Sequence, residues 1–244
     1  MRVSVYFTPL GVTPQDVGEK PVVVIDVLRT TTTVVAAMAN GAKAVLPSAG
    51  QDEALRHVTN LERDAVVLAG ERKLERIEGF ELGNSPLEMT GEAVQGKTIV
   101  MSTTNGTPAI VAAGSGEPVI IAAVTNFSAA VARAREAFEK SQEIVILCSG
   151  REKMFALEDA YAAGRFVRAL VPGNIRRSAD FNDAAIAALE LVRRYGEKWK
   201  RAITASAAAR ELRARGFKAD LAAATEVDKH DIVPEYSGKL VTLP

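Results

Sequence analysis

The sequence predicts a layered α/β fold with a mainly parallel or mixed sheet and a helical C-terminal part. Three observations lead to this prediction. Short β-branched runs recur along the first two thirds of the chain, helix-forming stretches separate them, and the pattern becomes alanine-rich and helical from Glu158 onward. A chain of 244 residues, 48% of them hydrophobic, is long enough and apolar enough to bury a substantial core.

The predicted strands are apolar on both faces, which is typical of strands that helices cover on both sides of a sheet. They are Val3–Phe7, Val22–Val27, Ala44–Leu46, Ala65–Leu68, Thr98–Met101, Val119–Ala122 and Ile144–Leu147, with a final strand at Lys239–Leu243. Helical stretches lie between most consecutive strands, and this alternation favours a mainly parallel sheet.

The predicted helices have apolar residues three and four positions apart. Those between the strands include Thr32–Ala39, Asp52–Thr59 and Ser128–Lys140. The helical part that begins at Glu158 runs through Ala224, and its longest candidates are Asn182–Tyr195 and Lys200–Arg215, with Gly196 and Gly216 as stop signals. No low-complexity linker or internal repeat is present, so we expect one domain over residues 1–244.

The composition narrows the choice of partners. The 30 basic residues balance 30 acidic ones, so the chain has no overall charge for nucleic acid or an anionic membrane. No apolar run approaches the roughly 20 residues that span a bilayer. The single cysteine, Cys148, cannot form an internal disulfide, which favours a cytoplasmic protein. We expect a small anionic ligand, and we keep a homodimer as one alternative for the oligomeric state.

The first candidate site follows the predicted strand Val22–Val27. Asp26 is followed by Arg29 and by four threonines, Thr30 to Thr33. A carboxylate at a strand end suits Mg²⁺, and an arginine beside a helix N-terminus suits phosphate. The structural alternative is that Asp26 caps a helix and Arg29 pairs with a surface carboxylate.

Two further strand exits carry polar clusters. Glu71 and Arg72 follow Ala65–Leu68, and a later loop supplies Asn84 and Ser85, which are equally suited to helix capping. The exit of Thr98–Met101 reads TTNGT, from Thr103 to Thr107, and includes Thr104, Asn105 and Gly106. Such a loop resembles a backbone nest for an oxyanion, with a plain turn as the alternative.

The fourth cluster contains Cys148, Ser149 and Gly150 at a strand end, followed by Glu158 and Asp159 near a helix start. The acidic pair is explained either by the helix dipole or by a metal site. Cys148 is either a nucleophile or a small core residue.

Other site classes lack support in the sequence. His57 and His230 are the only histidines and stand apart from clusters of ligands, so a zinc site or a Ser-His-Asp triad is not expected. No GxGxxG follows the first strand, and no GxxxxGK[ST] occurs. The site class that remains is one in which a hard metal ion acts on a small anionic substrate.

Several motifs in this order resemble the 2-phosphosulfolactate phosphatase family. They are DVLRTTTT, GER followed by GFELGNSP, TTNGT, CSG followed by Glu158 and Asp159, and SAAARELRARGFKADL. The sequence departs from the family pattern at Glu81, where aspartate is common, and at Ala207–Ala209, where histidine and glycine are often found before Arg210. The resemblance implies a Mg²⁺-dependent hydrolase that removes phosphate from 2-phospho-3-sulfolactate, as in a coenzyme M route.

With this resemblance, each cluster receives an expected role. Asp26, Glu71, Glu158 and Asp159 are the candidate metal ligands, and Asp26, Arg29 and Cys148 are the candidate catalytic residues. Substrate binding is assigned to Thr30, Thr31, Arg72, Asn84, Ser85, Thr104, Asn105, Gly106, Thr107, Ser149, Gly150 and Arg210. The nucleophile is left open between water, Asp26 and Cys148.

Three alternatives to this assignment remain open. A cysteine-dependent hydrolase would use Cys148 with Asp26 as its base. A haloacid-dehalogenase-type phosphatase is weaker, because Leu28 occupies the position of its second acid. A non-enzymatic protein that binds a small anion is the third.

Overall fold

The structure, a computed structural model, describes residues 1–59, 62–171, 173 and 179–244. Its strands are β1 (Arg2–Tyr6), β2 (Val22–Ile25), β3 (Ala44–Pro47), β4 (Val66–Arg72), β5 (Glu75–Arg76), β6 (Thr98–Ser102), β7 (Val119–Ala122), β8 (Glu143–Cys148), β9 (Asp180–Phe181), β10 (Glu235–Ser237) and β11 (Leu240–Thr242). Its helices are α1 (Pro14–Val17), α2 (Thr30–Ala39), α3 (Gln51–Val58), α4 (Gly91–Val94), α5 (Gly106–Ala112), α6 (Phe127–Ser141), α7 (Leu157–Leu170), α8 (Asp183–Tyr195), α9 (Trp199–Thr204), α10 (Ala207–Ala214) and α11 (Lys218–Ala223).

The described strands form one mixed sheet in the order β5-β4-β6-β3-β11-β10-β7-β2-β8-β1-β9. One parallel group contains β4, β6 and β3, and the other contains β7, β2, β8, β1 and β9. The antiparallel hairpin β10–β11 pairs with β3 on one side and with β7 on the other. The C-terminal hairpin therefore joins the two parallel groups, and the predicted α/β fold with a mixed sheet is confirmed.

Each predicted strand coincides with an observed one, because its β-branched run is buried within the sheet. Three strands were not predicted: β5, β9 and β10 are only two or three residues long and carry no periodic pattern. Within the helical C-terminal part, the residues around position 175 lie outside the described ranges.

The predicted helix Lys200–Arg215 is wrong as one element, because it divides into α9 and α10. Ser206 stands between them, and its side chain accepts a hydrogen bond from the Ala209 N–H at 3.1 Å. This N-cap starts a new helix where the apolar periodicity alone continues. The two predicted stop signals coincide with helix ends, since Gly196 and Gly216 follow α8 and α10 with positive φ angles of 66° and 90°.

Helices cover both faces of the sheet. Val23 and Ile25 of β2 face a core with α6, α7, α8 and α9. Val22 and Val24 of the same strand face a second core with α2 and α5. This alternation places the two cores on opposite sides of one strand, as its period of two requires. Within the described part of the chain, no helix has both the length and the apolar character needed to cross a membrane.

Candidate active site

The exits of strands from both parallel groups meet around one cavity of about 140 Å³. Segments after β2 and β8 come from one group, and segments after β4 and β6 come from the other. The cavity is lined by Asp26, Leu28, Arg29, Thr30, Glu71, Lys73, Leu74, Asn84, Thr104, Asn105, Arg151, Glu152, Glu211 and Arg215. Ligands of open α/β sheets bind at such positions, beyond the carboxyl ends of the strands.

Asp26 directly follows β2 and is only 5% exposed. Burial raises the pKa of its carboxyl group to about 7, and the negative charges of Glu158 and Glu71 add to this rise. Hydrogen bonds from Thr30 oppose the shift without cancelling it. The backbone of Asp26 is fixed by Thr31, whose hydroxyl accepts from the Asp26 N–H at 2.9 Å and donates to the Asp26 carbonyl at 2.8 Å. A buried carboxylate is thus held rigidly in the cavity wall.

The start of α5 approaches Asp26 so closely that only glycine fits at position 106. A Cβ atom there would overlap the Thr30 side chain and the Oδ2 atom of Asp26. Gly106 therefore allows the segment after β6 to contact the segment after β2, although these strands are not neighbours in the sheet.

Glu71 binds two of the segments around the cavity together. Its Oε1 atom accepts from the Thr104 N–H at 2.8 Å, and its Oε2 atom accepts from the Leu74 N–H at 2.9 Å and from the Thr104 hydroxyl at 3.2 Å. A carboxylate has about four acceptor positions, so Glu71 retains capacity for a ligand.

Asn84 has a buried side-chain oxygen with no partner. Its Nδ2 atom donates to the Thr30 hydroxyl at 3.3 Å, and its backbone carbonyl accepts from the Thr33 hydroxyl at 3.1 Å. Its Oδ1 atom has no hydrogen-bond partner among the residues that the structure describes, although the residue is only 4% exposed. Buried polar atoms are rarely left unpaired, so this oxygen indicates a position for a ligand.

Asp26, Glu71 and Asn84 line one cavity, and their side chains carry oxygen, the donor that Mg²⁺ prefers. No group of three His, Cys, Asp or Glu side chains in the described ranges forms a metal site. A cation in this cavity would therefore use two carboxylates, one amide oxygen and water. That composition fits Mg²⁺, which commonly binds one or two carboxylates and keeps several waters.

Arg29 lies in the cavity wall and is paired with a buried acid. Its Nη1 atom donates to Oδ2 of Asp220 at 2.5 Å, and both side chains are almost fully buried. Its guanidinium also lies over the Phe217 ring, 4.5 Å from the centroid. Ser85 donates to the second oxygen of Asp220 at 2.8 Å. The Leu28–Arg29 peptide bond is cis. Asp220 lies in the motif SAAARELRARGFKADL but was given no role, because no local pattern links it to a partner 191 positions away.

Three further cations around the cavity were also missed. Arg151 forms an ion pair with Glu211, and Arg215 forms one with Glu75 at 2.8 Å. Lys73 is exposed, and no ion pair to it occurs within the described ranges. Arg151 and Lys73 directly follow predicted site residues, which was the available signal for them.

Several predicted substrate-binding residues lie behind the cavity wall. The Thr31 hydroxyl is already hydrogen-bonded to the backbone N–H and carbonyl of Asp26. Arg72 donates to the Ser102 hydroxyl at 2.8 Å and to the Glu71 carbonyl at 2.7 Å. The Thr107 N–H donates to the Thr103 hydroxyl at 3.0 Å, which closes the turn before α5. Asn105 does line the cavity, and its Oδ1 atom accepts from the Glu152 N–H at 2.9 Å.

Asp159 holds the exits of β2 and β8 together and does not line the cavity. Its carboxyl group accepts from the Val27 N–H at 2.9 Å, from the Ser149 hydroxyl at 3.1 Å and from the Gly150 N–H at 3.2 Å. Burial, followed by the charges of Asp26 and Glu158, raises the pKa of Asp159 well above its ordinary value. Ser149, Gly150 and Asp159 therefore form a buried junction.

Cys148 is fully buried in β8, where it pairs with Ile25 of β2. Burial raises the pKa of its thiol, and the neighbouring charges of Asp159, Glu158 and Asp26 raise it further. A nucleophilic cysteine needs a thiolate that a substrate can reach. Cys148 offers neither, so the geometry favours its role as a core residue.

Glu158 and Arg210 line a second cavity of about 240 Å³, which shares Arg151 with the first. Burial raises the pKa of Glu158, while a hydrogen bond from Ser206 and the charge of Arg151 oppose the rise. Arg210 is exposed and donates to the Ala205 carbonyl at 2.8 Å. The four predicted metal ligands are thus divided: Asp26 and Glu71 line the candidate active-site cavity, and Glu158 and Asp159 lie outside it.

Comparison with known proteins is consistent with this arrangement of motifs. A family model described as 2-phosphosulpholactate phosphatase matches residues 6–239. A "Probable 2-phosphosulfolactate phosphatase" of Caldanaerobacter subterraneus subsp. tengcongensis is 37% identical over 243 residues, which cover 99% of this chain and 98% of the relative. Proteins of the same name from Synechococcus sp. (strain CC9605) and Thermotoga petrophila are 35% and 38% identical, over 96% and 87% of this chain and the same shares of the relatives. The chain therefore belongs to the 2-phosphosulpholactate phosphatase family.

Proposed function

We propose that this protein is a Mg²⁺-dependent phosphatase that hydrolyses 2-phospho-3-sulfolactate, or a related phospho-hydroxy acid, to sulfolactate and phosphate. The relatives' names support the substrate class. The observation that carries the metal is the convergence of the Asp26 and Glu71 carboxylates with the unpaired Oδ1 atom of Asn84 in one small cavity.

Asp26, Glu71 and Asn84 would hold Mg²⁺, which would neutralise the negative charge on the phosphate oxygens during transfer. Asn84 is fixed for this role by its bonds to Thr30 and Thr33. Glu71 is fixed by the amides of Leu74 and Thr104. These contacts orient the oxygens before any ligand arrives, so little reorganisation is required on binding.

The cavity's cations suit a substrate that carries several anionic groups. The Arg29–Asp220 pair is buried and places a fixed guanidinium in the wall. Lys73, Arg151 and Arg215 line the same cavity and would bind the phosphate, carboxylate and sulfonate groups. They take over the role expected of Arg72 and Arg210, since Arg72 is bonded to Ser102 and Arg210 lies at the neighbouring cavity.

We assign the attack to water. Its oxygen forms a bond to phosphorus while the bond from phosphorus to the ester oxygen breaks, and the ester oxygen leaves as the hydroxyl of sulfolactate after taking up a proton. An aspartyl-phosphate on Asp26 is the rival path. A substrate made chiral at phosphorus with oxygen isotopes separates them, because direct attack by water inverts the configuration at phosphorus, whereas a path through an aspartyl-phosphate makes two displacements at phosphorus and retains it.

The primary test is phosphate release from purified protein with 2-phosphosulfolactate and 2-phospholactate, with Mg²⁺ or with a chelator. We expect release that depends on the metal and is faster for the substrate with the additional sulfonate. A non-enzymatic binding protein would instead be stabilised by these compounds without releasing phosphate. Absence of release from either compound in the presence of excess Mg²⁺ contradicts the proposal.

A further inference from the structure

A cavity of about 250 Å³ shares no lining residue with the candidate active-site cavity. Its walls come from α2, from the loop after Asn84, and from the segments around Thr125 and His230. Among its described lining residues, the apolar ones include Ala36, Leu87 and Met89. Cavities with an apolar wall and a few convergent polar groups are typical sites for small molecules.

One polar group in this wall has no partner. Thr125 is only 3% exposed and lines the cavity, and its Oγ1 atom has no hydrogen-bond partner within the described residues. A hydroxyl group both donates and accepts, and burial without a partner is unfavourable. The Thr125 hydroxyl therefore leaves both its donor and its acceptor capacity unused.

The segment that contains Asp228 and His230 is held by hydrogen bonds to the segment of Thr125. The His230 N–H donates to the Thr125 carbonyl at 2.8 Å, and the Asp228 N–H donates to the Val124 carbonyl at 3.1 Å. Asp228 in turn accepts from the N–H and the hydroxyl of Ser128, both at 2.6 Å. These contacts hold the imidazole of His230 in the cavity wall.

The charge of the cavity indicates the kind of ligand. Lys229 is the only charged residue among the described lining residues, and it pairs with Glu226 at 2.6 Å outside the wall. Burial lowers the pKa of His230, as does the charge of Lys229, so its imidazole is neutral at neutral pH. One hydroxyl, one neutral imidazole and an ammonium group that Glu226 already pairs suit a single carboxylate, whereas a polyanion would lack partners.

We propose that this cavity binds a small organic acid that has one carboxylate and an apolar body. The carboxylate accepts from the Thr125 hydroxyl and lies near Lys229 and His230, and the apolar body packs against Ala36, Leu87 and Met89. The site is separate from the active-site cavity and does not depend on the proposed phosphatase activity.

The chain itself offers a direct readout, because it contains only two histidines. In protein labelled at histidine, NMR gives one imidazole for His230 and one for His57, and the variant His57→Gln assigns them. His57 lies on α3, so it serves as an internal reference. We expect isovalerate to shift the His230 signals in a saturable manner and to leave those of His57 unchanged.

Two matched probes and two variants make the test specific. Acetate carries the charge without the apolar body, 3-methylbutan-1-ol carries the body without the charge, and both should bind more weakly than isovalerate. Thr125→Val keeps the side-chain shape and should weaken isovalerate binding by about five- to tenfold, the contribution of one hydrogen bond. Thr204→Val removes a hydroxyl that is bonded to the Lys200 carbonyl on α9 and should not alter binding.

The proposal is overturned if isovalerate leaves the His230 signals unchanged, if acetate or the alcohol binds equally well, or if Thr125→Val retains full affinity. Dilution of the protein provides one more decisive measurement. His230 signals that change with protein concentration, in the absence of probe, would mean that a second copy of the chain covers the cavity, and this outcome also overturns it.

Discussion

Two buried acids, Asp26 and Asp159, lie beside the end of β2. They differ in whether their carboxyl oxygens are bonded within the protein or line a cavity. Asp159 accepts three hydrogen bonds from the segments after β2 and β8, and lines neither the active-site cavity nor its neighbour. Asp26 lies in the active-site wall beside Glu71 and the unpaired oxygen of Asn84. Burial is common to both, so burial alone does not distinguish them. We propose Asp26 as the functional acid because it lines the cavity.

The largest effect is expected for Asp26→Asn. It removes a proposed metal ligand while keeping the side-chain size, and we expect kcat/KM for 2-phosphosulfolactate to fall by roughly 10³-fold, equivalent to about 4 kcal/mol of transition-state stabilisation. Steady-state kinetics at saturating Mg²⁺ measures this. Activity within about threefold of the parent protein would contradict the role of Asp26.

Asp159→Asn should act mainly on stability. An amide group has one acceptor oxygen where the carboxyl group has two, so the buried N–H of either Val27 or Gly150 loses its partner, at a cost of about 1–3 kcal/mol in the free energy of unfolding. Urea denaturation measures the change. Ser149→Ala serves as the control, because it removes only one of the three bonds and should cost less. If Asp159→Asn left stability unchanged, the junction would not be a structural one.

The contrast between paired and unpaired oxygens can be tested on two asparagines of the same cavity wall. Asn84→Ala removes the unpaired oxygen and should raise the Mg²⁺ concentration needed for half-maximal activity by about 10–100-fold. Asn105→Ala removes an oxygen that is already bonded to the Glu152 N–H, so it should change this Mg²⁺ concentration much less. Equal effects of the two variants would argue against Asn84 as a ligand.

The raised pKa of Asp26 predicts how the metal-free protein responds to pH. The folded carboxyl group keeps its proton up to about pH 7, whereas the unfolded group loses it near its ordinary value of 3.8. Folding therefore loses stability as the pH rises between these values, on the order of 4 kcal/mol from this group, because a pKa difference of one corresponds to about 1.4 kcal/mol. In a chelator, Asp26→Asn should lose less stability than the parent protein between pH 4 and pH 8. A parallel pH dependence in the two proteins would contradict the shift.

The smallest effect is expected for Cys148→Ala. The thiol is buried and its raised pKa keeps it protonated, so removing it should change kcat by less than about threefold, with a modest loss of core packing. The cysteine-dependent alternative requires complete loss of turnover. Comparison of kcat for this variant with that of Asp26→Asn separates the two readings.

Both the strand positions and the strand exits that carry the site could be predicted from the sequence. The local pattern of the β-branched run before Asp26 predicts its burial. Asp26, Asn84 and Thr104 follow strands or lie in the loops after them, and Glu71 lies at the end of β4. Local periodicity also indicated where helices end, as at Gly196. It failed at Ser206, where the apolar pattern continues through a break made by one N-cap.

The sequence by itself determined the layered fold and the group of segments that surround the site, because strand and helix periods and turn residues act over a few positions. Only the tertiary structure decided which polar atoms remain available. Asp220 neutralises Arg29 across 191 positions, and Val27, Ser149 and Gly150 occupy Asp159, whereas Oδ1 of Asn84 is left without a partner in the described part of the chain. The physical reason is that hydrogen-bond satisfaction depends on neighbours in space, which a linear pattern does not specify.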